Sequence, residues 1–124
     1  MSAKPTYFEW TKDWAKFTEA VSAYADKYEG ESINNELNQH AKTVFRTLDD
    51  SSSLNAALEW SKKTLSGEKE KNLGYLHTYG NLLYKAGKKE EAISTINEMA
   101  KLMKQPDSGL DELLTKMKKG EKVW

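Results

Sequence analysis

The chain contains no cysteine, which removes disulfides, thiolate metal sites and thiol catalysis from consideration. Its 124 residues include only two prolines and seven glycines, too few breakers for a loop-rich chain. It also lacks net charge, because nineteen Lys and Arg balance nineteen Asp and Glu. A nucleic-acid-binding domain carries a marked basic excess, so no nucleic-acid partner is expected. No apolar run approaches the ~20 residues of a membrane span, so no membrane insertion is expected. The start, Met1-Ser2-Ala3-Lys4-Pro5, is followed by no apolar stretch of the kind a secretory signal needs. The absence of cysteine leaves the compartment open, since a periplasmic protein can lack it as well.

What is present is 31% charged and 38% hydrophobic residues, a mixture that suits a helical protein with a modest core better than a disordered one. The length fits one domain over 1–124, able to bury roughly two-thirds of its unfolded surface. Trp10, Trp14, Phe17, Val21, Tyr24 and Tyr28 recur at steps of four and three, the stripe of a first helix within 1–30. Thr11 is placed to cap it, Asp13 favours its positive end and Gly30 ends it. Acids and bases are evenly mixed opposite the stripe, which points to core packing against the second helix rather than to a ligand or membrane face.

A second helix after Ser32 carries Ile33, Leu37, Ala41, Val44 or Phe45, and Leu48. The run Asp49-Asp50-Ser51-Ser52-Ser53 then supplies several N-caps for a third helix, with Leu54, Ala57, Leu58, Ser61 and Leu65, closed by Gly67. Residues 68–72 form a loop or the frayed start of a fourth helix. That helix has two apolar stripes: Leu73, Leu76, Gly80 and Leu83, and beside them Tyr75, Tyr79, Leu82 and Ala86. Two stripes imply neighbours on both sides. Gly87 ends this helix, and the short connection makes the fifth, with Ala92, Ile93, Ile96, Met99, Ala100 and Met103, its antiparallel neighbour. Pro106 and Asp107 break the chain again. Ser108-Gly109-Leu110-Asp111 reads as a capping box for a sixth helix bearing Leu110, Leu113, Leu114 and Met117, which Gly120 ends. No stretch alternates with period two, so the expected fold is all-α with six helices.

Catalytic chemistry finds little support. His40 and His77 are the only histidines, with no Asp or Glu at a ligand step in an apolar setting, so no metal or cofactor is expected. No nucleophile elbow is present. Gly87-Lys88 lacks the glycine-rich surround of a phosphate loop. Glu90-Glu91 and Asp49-Asp50 stand at helix starts, where the dipole accounts for them. The chain is not expected to be an enzyme. Trp60 lies beside the Leu58 and Ser61 stripe, to be packed under the insertion 51–53 or left as a partly exposed contact. Trp124 is expected to be mobile unless it folds back on the last helix.

An internal repeat organises these helices. The segment 76–85 (Leu-His-Thr-Tyr-Gly-Asn-Leu-Leu-Tyr-Lys) lies over 37–46 (Leu-Asn-Gln-His-Ala-Lys-Thr-Val-Phe-Arg) without a gap, and Ala92-Ile93 lies over Ala57-Leu58 once the serine insertion is allowed. The stretch 79–93, Tyr-Gly-Asn-Leu-Leu-Tyr-Lys-Ala-Gly-Lys-Lys-Glu-Glu-Ala-Ile, resembles a tetratricopeptide repeat. Gly80 stands at its close helix approach, Gly87 at its turn and Ala92 at its small position, whereas Leu76 replaces the favoured tryptophan. The resemblance implies a right-handed helical repeat: a capping helix within 1–30, a degenerate unit at 32–67, a clear unit at 72–104 and a capping helix at 108–119. The helix order is also similar to a helical extension that follows the thioredoxin-like domain in some bacterial envelope proteins. That likeness implies a periplasmic or envelope location, otherwise a cytoplasmic one, and an accessory role in stabilising or orienting a thiol–disulfide neighbour.

In tetratricopeptide arrays the first helix of each unit lines a groove. Carried over by the match, the groove positions are Asn35, Asn38, Lys42, Phe45 and Arg46 in the first unit, and Gly74, His77, Asn81, Tyr84 and Lys85 in the second. No acid is among them, so the resemblance implies a locally basic groove for a protein or peptide partner. Lys42, Arg46, Asn81 and Lys85 would hold an acidic side chain or a C-terminal carboxylate, with Phe45 and Tyr84 as flat apolar contacts. The same face also suits plain solvation, or cover by the sixth helix or a neighbouring domain.

Overall fold

In the computed structural model, residues 14–28, 31–66, 72–103 and 108–124 are described. Six α-helices and no strand run through them: α1 (Trp14–Lys27), α2 (Glu31–Thr47), α3 (Ser51–Ser66), α4 (Leu73–Lys85), α5 (Lys89–Leu102) and α6 (Ser108–Lys119). The expected contributions of Trp10, Thr11, Asp13, Gly30, Gly67, Pro106 and Asp107, and the loop 68–71, lie outside the described residues.

Of the α1 stripe, Phe17 and Val21 are buried, but it is Ala25 that completes the inward face; Tyr24 is half-buried and Tyr28, at the end of the helix, is exposed. The principal neighbour of α1 is α3, with α2 second. The reason is Trp60, which is neither under the serine insertion nor exposed. It is 2% exposed, its ring edge-on to Phe17 at 6.3 Å and its Nε1 donating to Ser22 Oγ at 3.0 Å. A buried indole needs a partner for its one donor, and a serine on the facing helix supplies it. Lys63 Nζ donates to the Tyr28 carbonyl at 2.8 Å, holding the end of α1 to α3. Phe17 also meets His40 of α2 edge-on at 5.3 Å, so His40 serves packing.

On α2, Leu37, Ala41 and Val44 are fully buried while Phe45 is half-buried, which resolves the two candidates for the stripe. Asp50 starts α3: its Oδ2 accepts from the Ser53 backbone N–H at 2.9 Å, satisfying one of the helix's orphan donors. That hydrogen bond, with a second from the Ser53 side chain, holds the Asp50 carboxyl below the usual carboxylate range. Asn72 does the same for α4 through the Tyr75 N–H at 3.2 Å.

The α4–α5 pair is the most extensive contact in the fold. Both stripes of α4 are used, since Tyr75, Leu76, Gly80, Leu82 and Leu83 are all buried. A Cβ on Gly80 would stand 2.5 Å from Ile96 Cδ1 and 2.9 Å from Cγ1, so the hydrogen side chain is what lets α4 and α5 approach. The turn between them is closed by Gly87, with φ +88°. Its N–H reaches the Tyr84 carbonyl and that of Lys88 the Leu83 carbonyl, at 3.1 and 2.8 Å, the paired bonds of a Schellman motif. The fully buried Leu76, Leu82, Leu83 and Ile96 contribute about 1.5–3 kcal/mol each by burial. Beyond adjacent helices, α1 packs on α3 and α2 on α4. Helix α6 buries Leu110, Leu114 and Met117 and packs on α5.

Candidate partner-binding face

Helix α2 and helix α4 lie side by side, and the ten groove positions divide between two roles. Asn38 and Phe45 on α2, and His77, Asn81, Tyr84 and Lys85 on α4, are buried or half-buried. Asn35, Lys42 and Arg46 form an exposed flank, and Gly74 is exposed at the start of α4. Asn34, which the repeat match did not single out, is buried beside Asn38 one turn away. Its signal in the sequence was its place one turn from Asn38 on the inward side of the helix.

Lys85 is not a free cation. Its side chain is 3% exposed, and its Nζ lies 3.1 Å from Asp49 Oδ1 and donates to the Phe45 carbonyl at 2.6 Å. That carbonyl is among the last four of α2, which have no partner within their own helix. A lysine from the neighbouring helix therefore closes the negative end of α2. Lys85 Nζ also stands 5.7 Å from the Phe45 ring centroid and 5.2 Å from that of Trp124.

Trp124 arrives there because α6 ends in a second Schellman motif. Gly120, with φ +77°, donates to the Met117 carbonyl and Glu121 to that of Lys116, a geometry that turns the chain back. Tyr84 Oη donates to the Glu121 carbonyl at 2.6 Å. The Trp124 ring centroid lies 6.3 Å from those of Phe45 and Tyr84, with inclined planes. Trp124 thus folds back onto α2 and α4 rather than onto the last helix.

Further along α4 an open cavity of about 580 Å³ is lined by Gly74, His77 and Asn81, by Met99 of α5, by residues of α6 including Glu112 and Lys116, and by Val123. Asn81 is 9% exposed. Its Nδ2 lies 3.4 Å from His77 Nδ1, the long limit of a hydrogen bond. Its Oδ1, like Asn38 Oδ1, is buried without a hydrogen-bond partner. Such a carbonyl costs about 1–3 kcal/mol.

The face is also less uniformly basic than its ten positions suggest. Asp49 follows α2 and Glu112 belongs to α6, so neither stands among those positions, yet both are brought to the face. Glu112 pairs along its own helix with Lys116 at 3.6 Å. Among the described residues no three of His, Cys, Asp and Glu gather as metal ligands, and no helix is long and apolar enough to cross a membrane. No family model, curated protein or solved structure matches the chain.

Proposed function

We propose that this chain is a tetratricopeptide-like, non-catalytic domain that binds an extended segment of a partner protein along the face shared by α2 and α4. Two helix–turn–helix pairs, α2 with α3 and α4 with α5, and the packing of α2 on α4, support the repeat reading. The close approach at Gly80 does so as well. The observation that carries the binding reading is Asn81. It stands in the wall of an open cavity with a buried carbonyl oxygen that nothing among the described residues satisfies. Once the Asn81 amide turns its oxygen toward the cavity, a backbone N–H from an extended segment supplies the missing donor, and the cost borne by the free chain becomes a gain on binding. The exposed Lys42 and Arg46 add favourable charge for an acidic partner along the α2 flank.

The test is partner capture followed by affinity measurement, comparing the native chain with Asn81→Leu and with the pair Lys42→Glu and Arg46→Glu. Asn81→Leu is expected to fold as well as the native chain and to weaken the captured partner about tenfold, the scale of one lost buried hydrogen bond. The charge pair is expected to slow association and to reduce its salt dependence. Unchanged affinity of every partner for folded Asn81→Leu removes the reading. Lys85→Glu is unsuitable here, because it would unseat the end of α2 and confound binding with stability.

A further inference from the structure

We infer that residues 121–124 are an internal occupant of one end of this face, and that they mark a subsite for a partner segment bearing a tryptophan or another flat aromatic side chain. The inference rests on the reading of the face as a partner site and names the chemistry that one end of it selects.

The wall of the subsite is supplied by α2, α4 and the connection after α2, not by the segment itself. Lys85 Nζ is fixed by the Phe45 carbonyl and Asp49, so its charge stays in place whichever ring lies over it. Phe45 and Tyr84 present inclined rings at 6.3 Å, and the ammonium sits 5.2 Å from the Trp124 centroid. Such a slot favours a flat, electron-rich face over an aliphatic side chain. Tyr84 Oη adds a donor for a main-chain carbonyl three residues before the ring, the place Glu121 now takes.

The occupant is docked rather than built into the core. Trp124 is 42% exposed, against 2% for Trp60, and its contacts are edge-on rings and cations, each individually weak. Val123 lines the same cavity as His77 and Asn81. A partner segment seated on Asn81 therefore runs directly into the ground that residues 121–124 hold. Tethered through Gly120, the segment competes at an effective concentration in the millimolar range, and a partner sees its affinity reduced by the fraction of chains that are self-occupied.

The experiment titrates acetyl-Gly-Glu-Lys-Val-Trp-amide into the full chain and into its Trp124→Ala variant, following the NMR signals of Phe45, Tyr84 and Lys85. The variant is expected to bind the peptide about tenfold more strongly than the native chain. Adding Tyr84→Phe is expected to weaken that binding several-fold, and a peptide with alanine for tryptophan should give no saturable shift. Equal affinity for both chains, or no shift in either at millimolar peptide, overturns the inference. If Trp124→Ala does not fold, Trp124→Leu takes its place, keeping apolar bulk without a π face. The two readings fail separately. Partners that depend on Asn81 but ignore the state of Trp124 sink the aromatic subsite alone. Peptide binding at Tyr84 together with partners indifferent to Asn81 sinks the wider face.

Discussion

Lys85 and Asn81 stand four residues apart on α4, on the same side of the helix, yet their surroundings have opposite characters. At Lys85 every group has been given a partner: the ammonium closes the end of α2, Asp49 balances it and Trp124 covers it. At Asn81 the reverse holds. The side chain is just as withdrawn from water, but its carbonyl is unpaired and the neighbouring space is open. Burial alone thus says little about a polar residue's role. What distinguishes a structural clamp from a binding group is whether the chain itself supplies the partner, and that difference can be broken from either side.

The largest effect is expected at the satisfied end. Lys85→Ala leaves the Phe45 carbonyl without its charged donor and Asp49 without its cation, a loss of about 2–3 kcal/mol dominated by the hydrogen bond, because Asp49 is 86% exposed and the ion pair itself is worth little there. Chemical denaturation measures it; a loss below about 0.5 kcal/mol would mean that Lys85 is not the clamp described. An intermediate effect belongs to Asp50, next to Asp49 in the connection that feeds this end. Asp50→Ala is expected to cost about 1 kcal/mol as a lost N-cap.

That contribution has a definite pH dependence. The carboxyl is lower in pKa when folded, so its stabilisation is full above the unfolded value near 4 and disappears as pH falls through the lower folded value. The stability difference between native chain and Asp50→Ala should therefore be flat at neutral pH and shrink under acid, whereas Asp50→Asn should keep most of the cap with no such titration. A difference that grows on acidification contradicts the capping geometry. The smallest effect is expected at the open end, where Asn81→Leu should leave the denaturation midpoint within about 0.5 kcal/mol of the native chain or raise it. A loss comparable to that of Lys85→Ala would show that Asn81 is satisfied in solution and would erase the contrast.

Much of the fold was legible in residue spacing. The double stripe of α4 needs neighbours on two sides and has them. Gly80 and Gly87 were marked as a close approach and a turn, and the Ile96 contact and the positive φ show why no larger residue fits without strain. The stripe of α1 told that Phe17 and Val21 face inward, but placed Tyr28 inward where Ala25 is buried instead, and did not tell toward what the helix faces. Period 3.6 reports the face of a helix that is covered and carries no information on which helix covers it. Hence Trp60, which stands beside its helix's small and apolar stripe, gave no sign that α1 would close over it and provide Ser22 for its nitrogen.

The candidate site was legible to a lesser degree. Matching the two units picked out Phe45, Asn81, Tyr84 and Lys85 together, and these do gather on α2 and α4. The same match could not separate Asn38 from the exposed Asn35, nor show Lys85 consumed by a carbonyl. Charge counted along two helices also omitted Asp49 and Glu112, which reach the face from a connection and from α6.

By itself the sequence determined the all-α class, the six helices of the described residues, most of their inward faces and the turns at Gly87 and Gly120, because each of these depends on neighbours within a few residues along the chain. Only the tertiary structure decided that α1 lies on α3, that Lys85 serves the end of α2, that residues 121–124 return to Phe45 and Tyr84, and that the Asn81 side-chain carbonyl is left without a partner. Those outcomes depend on which groups from distant segments reach one another once the backbone has closed. A donor's partner 40 residues away, as Phe45 is from Lys85, is written in no local pattern.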